Sequence, residues 1–535
     1  MSFQLPWART TNKRPAMRAP ISTATCILFV CLCSMLTSGC TTLPSLEHRT
    51  ISRALPLDES KDTTLGKSIS HMAAAHTGKS GIHALSDPQD AFAARVLIAR
   101  AAERTLDVQY YIWHKDLTGT LLFEALHAAA NRGVRVRLLL DDNSTAGLDP
   151  TLSGLDLHPN IEVRLFNPFV IRAPRWIGYL TDFSRLNRRM HNKSFTADNQ
   201  ITIIGGRNVG DEYFGATDGI LFADLDVVAL GPVVKDVSDD FDRYWNSQSS
   251  YPVSLLLPAV NAEQLVKLRS EAGTLEQSPS AAAYINAMRK STLIRQLLTA
   301  TIELEWAPTH MVSDDPRKGL GQVPNSQLLT HDLDRIIGKP RSVVELVSPY
   351  FVPTETGVAG FVAMANRGVK IQVLTNSLDA TDVAAVHAGY AKRRKPLLEA
   401  GVKLYEMKRL SPESRRNRSA GPFGSSGSSL HAKTFSVDGS RIFVGSFNFD
   451  PRSAKLNTEL GFVIDSPEMA RHISAAFSDR IPDIAYEVKL SDTGNLYWLE
   501  NQEGKQIRYD SEPHASLWRR ASVGFLSFLP IDWLL

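Results

Sequence analysis

At 535 residues the chain is too long for one small domain, and apolar and charged fractions of 43% and 21% exclude a disordered or fibrous protein. A net charge of +3 excludes a global basic field, so any basic recognition site must be local. The four cysteines, Cys26, Cys31, Cys33 and Cys40, all fall near the N-terminus, which excludes a disulfide framework or a cysteine metal site in the folded body.

The first segment is patterned for targeting. Arg9, Lys13, Arg14 and Arg18 precede an apolar run from Cys26 to Leu36, and Thr37-Ser38-Gly39-Cys40 follows. A basic region, a short apolar core and small residues before a cysteine resemble the lipobox of bacterial lipoproteins. Leu36 departs from that pattern, lying four residues before Cys40 instead of three. Residues 1–40 are therefore expected to be a signal peptide ending at a lipidated Cys40, with translation starting at Met1 or Met17. The expected location is the envelope of a Gram-negative bacterium. Thr41 after the cysteine favours the outer membrane, facing the periplasm, over the inner one.

Residues 41–88 are polar and rich in Ser and Thr, and they read as a tether. The span 89–254 alternates helix and strand patterns. Ala91 to Ala102 predicts a helix, Leu106 to Trp113 a strand, Leu121 to Arg132 a helix ended by Gly133, and Val134 to Leu140 and Ile161 to Phe166 two more strands. Such alternation predicts a largely parallel sheet covered by helices. Residues 255–325, helical in pattern around Val260 to Leu268 and Ala281 to Leu304, read as a helical insertion or linker.

The span 326–490 repeats the first domain in order. Val343 to Tyr350, Asn366 to Leu374 and Val402 to Met407 match the three strands, and Asn366-Arg367-Gly368-Val369 repeats Asn131-Arg132-Gly133-Val134. A nearly constant offset marks a duplicated domain. The expected fold is α/β: two duplicated α/β/α domains about a pseudo-twofold axis, with the active site at their interface. Between the third strand and the next motif, Ser411 to Ser429 carries Arg415, Arg416 and Arg418 and then a Gly/Ser run. It reads as a mobile loop, either a lid or a passive surface segment. Residues 491–535 form an apolar and aromatic tail from Trp518 onward, too short to span a bilayer and interrupted by Pro530. That tail either lies in a membrane interface or packs on the body.

One motif occurs in both halves. His191, Lys193 and Asp198 share their spacing with His431, Lys433 and Asp438. Each Asp is followed by a Gly-rich turn ending in Asn208 or Asn448, with Ser446 in the second turn and Gly206 in the first. His and Lys two residues apart on a strand point to one face. Asp198-Asn199 and Asp438-Gly439 predict the turns of hairpins, so both Asp residues are expected to orient turns even though they complete the candidate catalytic set.

Two imidazoles and two ammonium groups suit attack on a phosphodiester. Lysines and the Asn amides offset charge on the non-bridging oxygens. One imidazole attacks phosphorus and the other transfers the leaving proton. Asp224 and Glu459, at equivalent places in the repeat, are candidates to orient the histidines. This chemistry needs no metal and no cofactor.

These two HxKxxxxD motifs resemble those of the phospholipase D superfamily. The stretches Arg189–Phe195, Gly205–Gly215 and Asp224–Pro232 are similar to the bacterial cardiolipin synthases, and so are Tyr110–Trp113 and Phe528–Leu535. The resemblance implies phosphatidyl transfer through a phospho-histidine, from phosphatidylethanolamine or phosphatidylglycerol to phosphatidylglycerol. It implies His191 as nucleophile and His431 as general acid/base, roles the residues alone leave interchangeable. Phospholipid substrates and a membrane surface are the implied partners, and nucleic acid is not expected. A phospholipase D hydrolase releasing phosphatidic acid is the main alternative, and a nuclease on the same fold a further one. Gly206 departs from the family, where many members have Ser.

Overall fold

Nineteen strands among the described residues fall into two mixed sheets, one from each half of the repeat. The computed structural model describes residues 42–215, 224–409, 430–502 and 504–535. The expected signal peptide with Cys40, and the Ser411–Ser429 loop, lie outside the described residues.

The first sheet contains β1 (Ser80–Leu85), β2 (Thr105–Ile112), β3 (Arg135–Ser144), β4 (Ile161–Phe166), β5 (Ser194–Ala197), β6 (Ile201–Gly205), β7 (Asp226–Leu230), β8 (Ser250–Pro252) and β9 (Glu305–Ala307) in the order 8-4-3-2-5-6-7-1-9. The second contains β10 (Thr309–Ser313), β11 (Val343–Val347), β12 (Lys370–Asn376), β13 (Lys403–Met407), β14 (Thr434–Val437), β15 (Arg441–Gly445), β16 (Leu460–Ile464), β17 (Ala485–Leu490), β18 (Leu496–Gln502) and β19 (Lys505–Tyr509) in the order 10-16-15-14-11-12-13-17-18-19. The run 4-3-2-5-6-7 in the first sheet matches 13-12-11-14-15-16 in the second, so the duplication extends to topology. Helices flank both sheets, and the chain is α/β with two phospholipase D-like domains.

Several sequence expectations need correction. The sheets are mixed: β2, β3 and β4 are parallel, but β5, β6 and β7 form an antiparallel meander beside them. Residues 41–88 are no simple tether. They contain the helix Thr64–Ala74, N-capped by the Thr63 side chain, and β1, which lies antiparallel between β7 and β9. Leu65, Ile69, Ile82 and Leu85 supply the buried side chains that fix this segment. They are too sparse to show as periodicity, and their partners are distant in sequence.

The 255–325 span is only partly a helical insertion. Its helices pack on the first half, where buried Tyr284 donates to the Phe214 carbonyl at 2.7 Å. Its end is strand: β9 closes the first sheet, Pro308 follows, and β10 opens the second by pairing with β16. The 491–535 span likewise begins as sheet, with β18 and β19 extending the edge beyond β17. No helix among the described residues is long and apolar enough to cross a membrane.

Buried charge pairs join the layers. Asp107 holds Arg137 through two 2.7 Å contacts, and Asp226 holds Arg95 at 2.7 Å with both groups buried. The turns after β5 and β14 are of the tight, positive-φ kind that matches hairpin twist: φ is 51° and 52° at Asp198 and Asn199, and 54° and 60° at Asp438 and Gly439.

Each turn Asp reaches a neighbouring strand. The Asp198 carboxylate accepts from the N–H groups of Glu103, Arg104 and Thr105 at 2.8–3.2 Å, at the start of β2. Asp438 accepts from Arg341, Ser342 and Val343 at the start of β11. Replacing Asp198 by Ala leaves the buried Thr105 N–H without its acceptor and is expected to cost about 1–3 kcal/mol, seen as a lower midpoint in guanidinium unfolding. Asp438→Ala, at the more exposed turn, is expected to cost less.

Candidate active site

The segments carrying the two histidines leave their sheets just before β5 and β14. His191 and Lys193 therefore precede the strand instead of lying on it, as do His431 and Lys433. The reason is a bridge between the halves: Met190 pairs with Thr458, with His191 N–H donating to the Thr458 carbonyl and Thr458 N–H to the Arg189 carbonyl, both at 2.9 Å. A repeated device fixes the residue before each histidine. Asp141, in the C-terminal half of β3, accepts from Met190 N–H at 2.7 Å. Asn376, at the end of β12, exchanges two 3.1 Å hydrogen bonds with the Leu430 backbone.

Each imidazole is oriented by a carboxylate from the opposite half. His191 Nδ1 lies 2.8 Å from Glu459 Oε2, and His431 Nδ1 lies 2.7 Å from Asp224 Oδ2. An aromatic edge contact holds each ring as well: Tyr111 at 4.9 Å from His191, and Tyr213 at 5.1 Å from His431. Each lysine folds back, Lys193 Nζ donating to the His191 carbonyl and Lys433 Nζ to the His431 carbonyl. All four side chains are buried.

Burial, with the two ammonium groups, sets the protonation of the site. Desolvation, then Lys193 and Lys433, pushes the His191 imidazole well below its ordinary value. Desolvation and Lys433 push His431 down to about 3 despite Asp224. The lysines are lowered too, Lys433 to about 8, mainly by burial and against the pull of Asp224 and Glu459. The carboxylates part company. Asp224 is buried, which opposes ionisation, yet His431, Lys433 and Arg207 hold it well below the carboxylate range. Glu459 is pushed up to about 7 by burial, against Lys193 and Ser446.

The second turn supplies a hydroxyl that the first lacks. Ser446 Oγ donates to Glu459 Oε2 and accepts from Leu460 N–H at 3.0 Å. At Gly206 a Cβ would stand 2.1 Å from Asp224 Oδ1, so no side chain fits while Asp224 faces His431. That close approach is the physical reason for the Gly that departs from the Ser of many relatives.

Between the motifs lies a narrow cavity of about 20 Å³, lined in part by His191, Lys433, Asn448, Tyr111, Tyr350 and Arg452. Asn208 sits deeper: its Oδ1 accepts from Ile112 N–H at 3.2 Å, while its buried Nδ2 has no hydrogen-bond partner among the described residues. The structure thus gathers His191, Lys193, His431, Lys433, Asn448, Ser446, Asp224 and Glu459. Asp198 and Asp438 stand apart, their carboxylates spent on backbone N–H groups. Sequence reasoning missed Tyr111, Tyr213 and Arg452. Arg452 follows the second Asn by four residues, where the first half has Glu212, so the repeat gave no signal for it.

His114, Asp116 and Glu212 bring metal-type ligand atoms within 4.8 Å of one another. Their contacts are those of a joint: His114 Nδ1 lies 3.1 Å from Glu212, and Asp116 accepts from Gly119 and Asp211 N–H groups. This ties the helix Leu117–Asn131 to the segment carrying Tyr213.

A family model described as "Cardiolipin synthase, PLD-like domain" matches residues 96–245 and 333–481, more than half of the chain. The chain belongs to this family. Cardiolipin synthase C of Escherichia coli (strain K12) is 50% identical over 471 residues, 88% of this chain and 99% of that relative. An uncharacterised Helicobacter pylori protein is 33% identical over 457 residues, 83% of this chain and 88% of its own. The crystal structure of phosphatidylserine synthase from Haemophilus influenzae Rd KW20 superposes with a TM-score of 0.55 at 11% identity, over 87% of this chain and all of that one. That likeness shows the fold, with both cardiolipin synthase domains included in it.

The Gly206–Asp224 contact is open to test. Gly206→Ser is expected to turn Asp224 away from His431 and lower kcat by about a hundredfold. Ser446→Gly removes one hydrogen bond to Glu459 and is expected to cost about tenfold. Steady-state rates, with circular dichroism to confirm the fold, check both.

Proposed function

We propose that this cardiolipin synthase family member transfers a phosphatidyl group to the hydroxyl of phosphatidylglycerol, from phosphatidylethanolamine or a second phosphatidylglycerol. The crossed pairs His191–Glu459 and His431–Asp224 carry the proposal, because they differ in the way a two-step transfer needs. His431 faces a carboxylate held ionised, so it is the better carrier of a proton. His191 faces Glu459, whose carboxylate, once ionised near pH 7, accepts the Nδ1 proton and leaves Nε2 unprotonated and nucleophilic.

The diester anion enters a site whose imidazoles are neutral and whose cations repel one another. Its charge offsets the lysines and raises the basicity of His431, which takes up a proton from solvent as the diester binds. With Nδ1 committed to Glu459, His191 attacks phosphorus through Nε2. The P–O bond to the leaving headgroup alcohol breaks, and the His431 imidazolium gives that oxygen its proton. In the second step neutral His431 takes the proton of the acceptor hydroxyl, whose oxygen attacks phosphorus. The P–N bond breaks and His191 is restored. Lys193, Lys433, Asn208 and Asn448 are assigned to the non-bridging oxygens. Asp198 and Asp438 hold the turns, and Ser446 positions Glu459.

Water competing with the acceptor would release phosphatidic acid. Transfer is favoured over this hydrolytic reading by the 50% identity to cardiolipin synthase C of Escherichia coli over 88% of this chain. We place the enzyme at a membrane, with Cys40 as the lipid anchor and the periplasmic side of the outer membrane as its location. These last points rest on the signal sequence alone.

Vesicles of phosphatidylethanolamine and phosphatidylglycerol are expected to yield cardiolipin and free ethanolamine. Phosphatidic acid as the sole lipid product would instead establish the hydrolase. His191→Ala should lower turnover by at least about a thousandfold and abolish the acid-labile phosphoryl-protein adduct; an adduct that persists would assign the nucleophile to His431. For the free enzyme, kcat/KM is expected to rise with pH as Glu459 ionises near 7 and to fall as Lys433 loses its proton near 8. Glu459→Gln should remove the lower limb of that profile.

A further inference from the structure

Arg452 joins three places at once. It lines the catalytic cavity beside Tyr111 and His191. Its Nη1 donates to the Asn187 carbonyl at 3.0 Å and its Nη2 to Asn187 Oδ1 at 2.5 Å, and Asn187 caps the helix Phe183–Leu186. Its Nε donates to the Leu534 carbonyl at 3.1 Å, and its backbone N–H to the Leu535 carbonyl at 2.6 Å. Leu535 in turn packs on Tyr350, another cavity-lining residue. One guanidinium thus moors two separate segments at the cleft: the helical pair Trp176–Thr181 and Phe183–Leu186, and the C-terminal segment that follows the helix Leu517–Ser527.

Both segments show apolar side chains to solvent. Leu180 is 74% exposed and Trp176 62%. Trp518 and Phe528 are 85% and 89% exposed, and Leu517 and Phe525 are also exposed. At about 100° per residue, positions 517, 528, 525 and 518 fall within one stripe about 100° wide. The opposite face of that helix is already used. Val523 is buried with Leu378, Ala388 and Ala515, and Leu526 packs against them. Arg519 and Arg520 reach back to the carbonyls of Thr381 and Glu512, which holds the helix to the body with its outer stripe uncovered. Exposed aromatic and aliphatic side chains this large and this concentrated mark an interaction surface.

We infer that Trp176 and Leu180 on one side, and Leu517, Trp518, Phe525 and Phe528 on the other, form a two-part surface that docks into the interfacial layer of a phospholipid bilayer and seats the Arg452-lined cleft on it. This rests on the reading of the substrate as a membrane phospholipid and deepens it. Tryptophan and phenylalanine on a short helix, with arginines at its base, suit the boundary between headgroups and acyl chains. Docking there lets a headgroup phosphate enter the narrow cavity while its acyl chains remain in the bilayer.

The test uses the full chain with the four substitutions Trp176→Ser, Leu180→Ser, Trp518→Ser and Phe528→Ser. Turnover is measured on vesicles of phosphatidylethanolamine and phosphatidylglycerol and on short-chain analogues below their micelle concentration. Vesicle turnover is expected to fall by about tenfold or more while monomer turnover stays within about twofold. In the unsubstituted protein, brominated lipids are expected to quench tryptophan fluorescence, and Trp518→Phe to remove part of that quenching. The inference fails if vesicle turnover is unchanged, if both activities fall together, if brominated lipid quenches nothing, or if light scattering shows the substitutions splitting a dimer. Quenching that depends on Trp518, with neither substrate form yielding cardiolipin, would uphold the docking surface and overturn the proposed reaction.

Discussion

Two carboxylate–imidazole hydrogen bonds cross from one half of the chain to the other, and the site exists only because they do. Glu459 belongs to β16's approach in the second half but serves His191; Asp224 belongs to the first half but serves His431. The sheets, the meanders and the Met190–Thr458 bridge all deliver these four side chains to one place. Burial makes the arrangement costly, since two ammonium groups and two carboxylates share a region with little water. The result is a site poised by its own electrostatics, with neutral imidazoles that an arriving anion can recharge.

The halves are alike in topology and unlike in detail, and the differences collect around the histidines. One side pairs Gly206 with Asp, the other Ser446 with Glu. The smaller carboxylate comes forward where no side chain blocks it; the longer one is held by a hydroxyl. Duplication supplied two equal histidines, and these small substitutions give them unequal environments, which is the asymmetry a double displacement requires.

Much of this was legible in the sequence. The motif spacing and the shared Asn-Arg-Gly-Val exposed the repeat, and the repeat pointed to Asp224 and Glu459. The crossing of their partners was not legible, because equivalence in sequence does not say which half a side chain faces. Arg452 was hidden for the opposite reason: it has no counterpart in the first half. The N-terminal strand β1 was missed because its few buried residues, Ile82 and Leu85 among them, gain meaning only from neighbours near residues 226–230 and 305–307. The parallel strands were read from their apolar runs and the β5–β6 and β14–β15 hairpins from their turn residues, but β7 and β16, which complete each antiparallel meander, carry no such turn signal.

The position of β1 has a consequence for how the chain is built. Its partners β7 and β9 come from residues about 140 and 220 positions later, and β9 is separated from the second sheet by Pro308 alone. The first half therefore cannot complete its sheet edge until the helical insertion has been made and folded back. The outer edge of β1 stays open through that interval, ready to pair with any passing strand. A chain that emerges from one end first would thus have its most vulnerable moment midway, and the crossover at Pro308 marks where that moment ends.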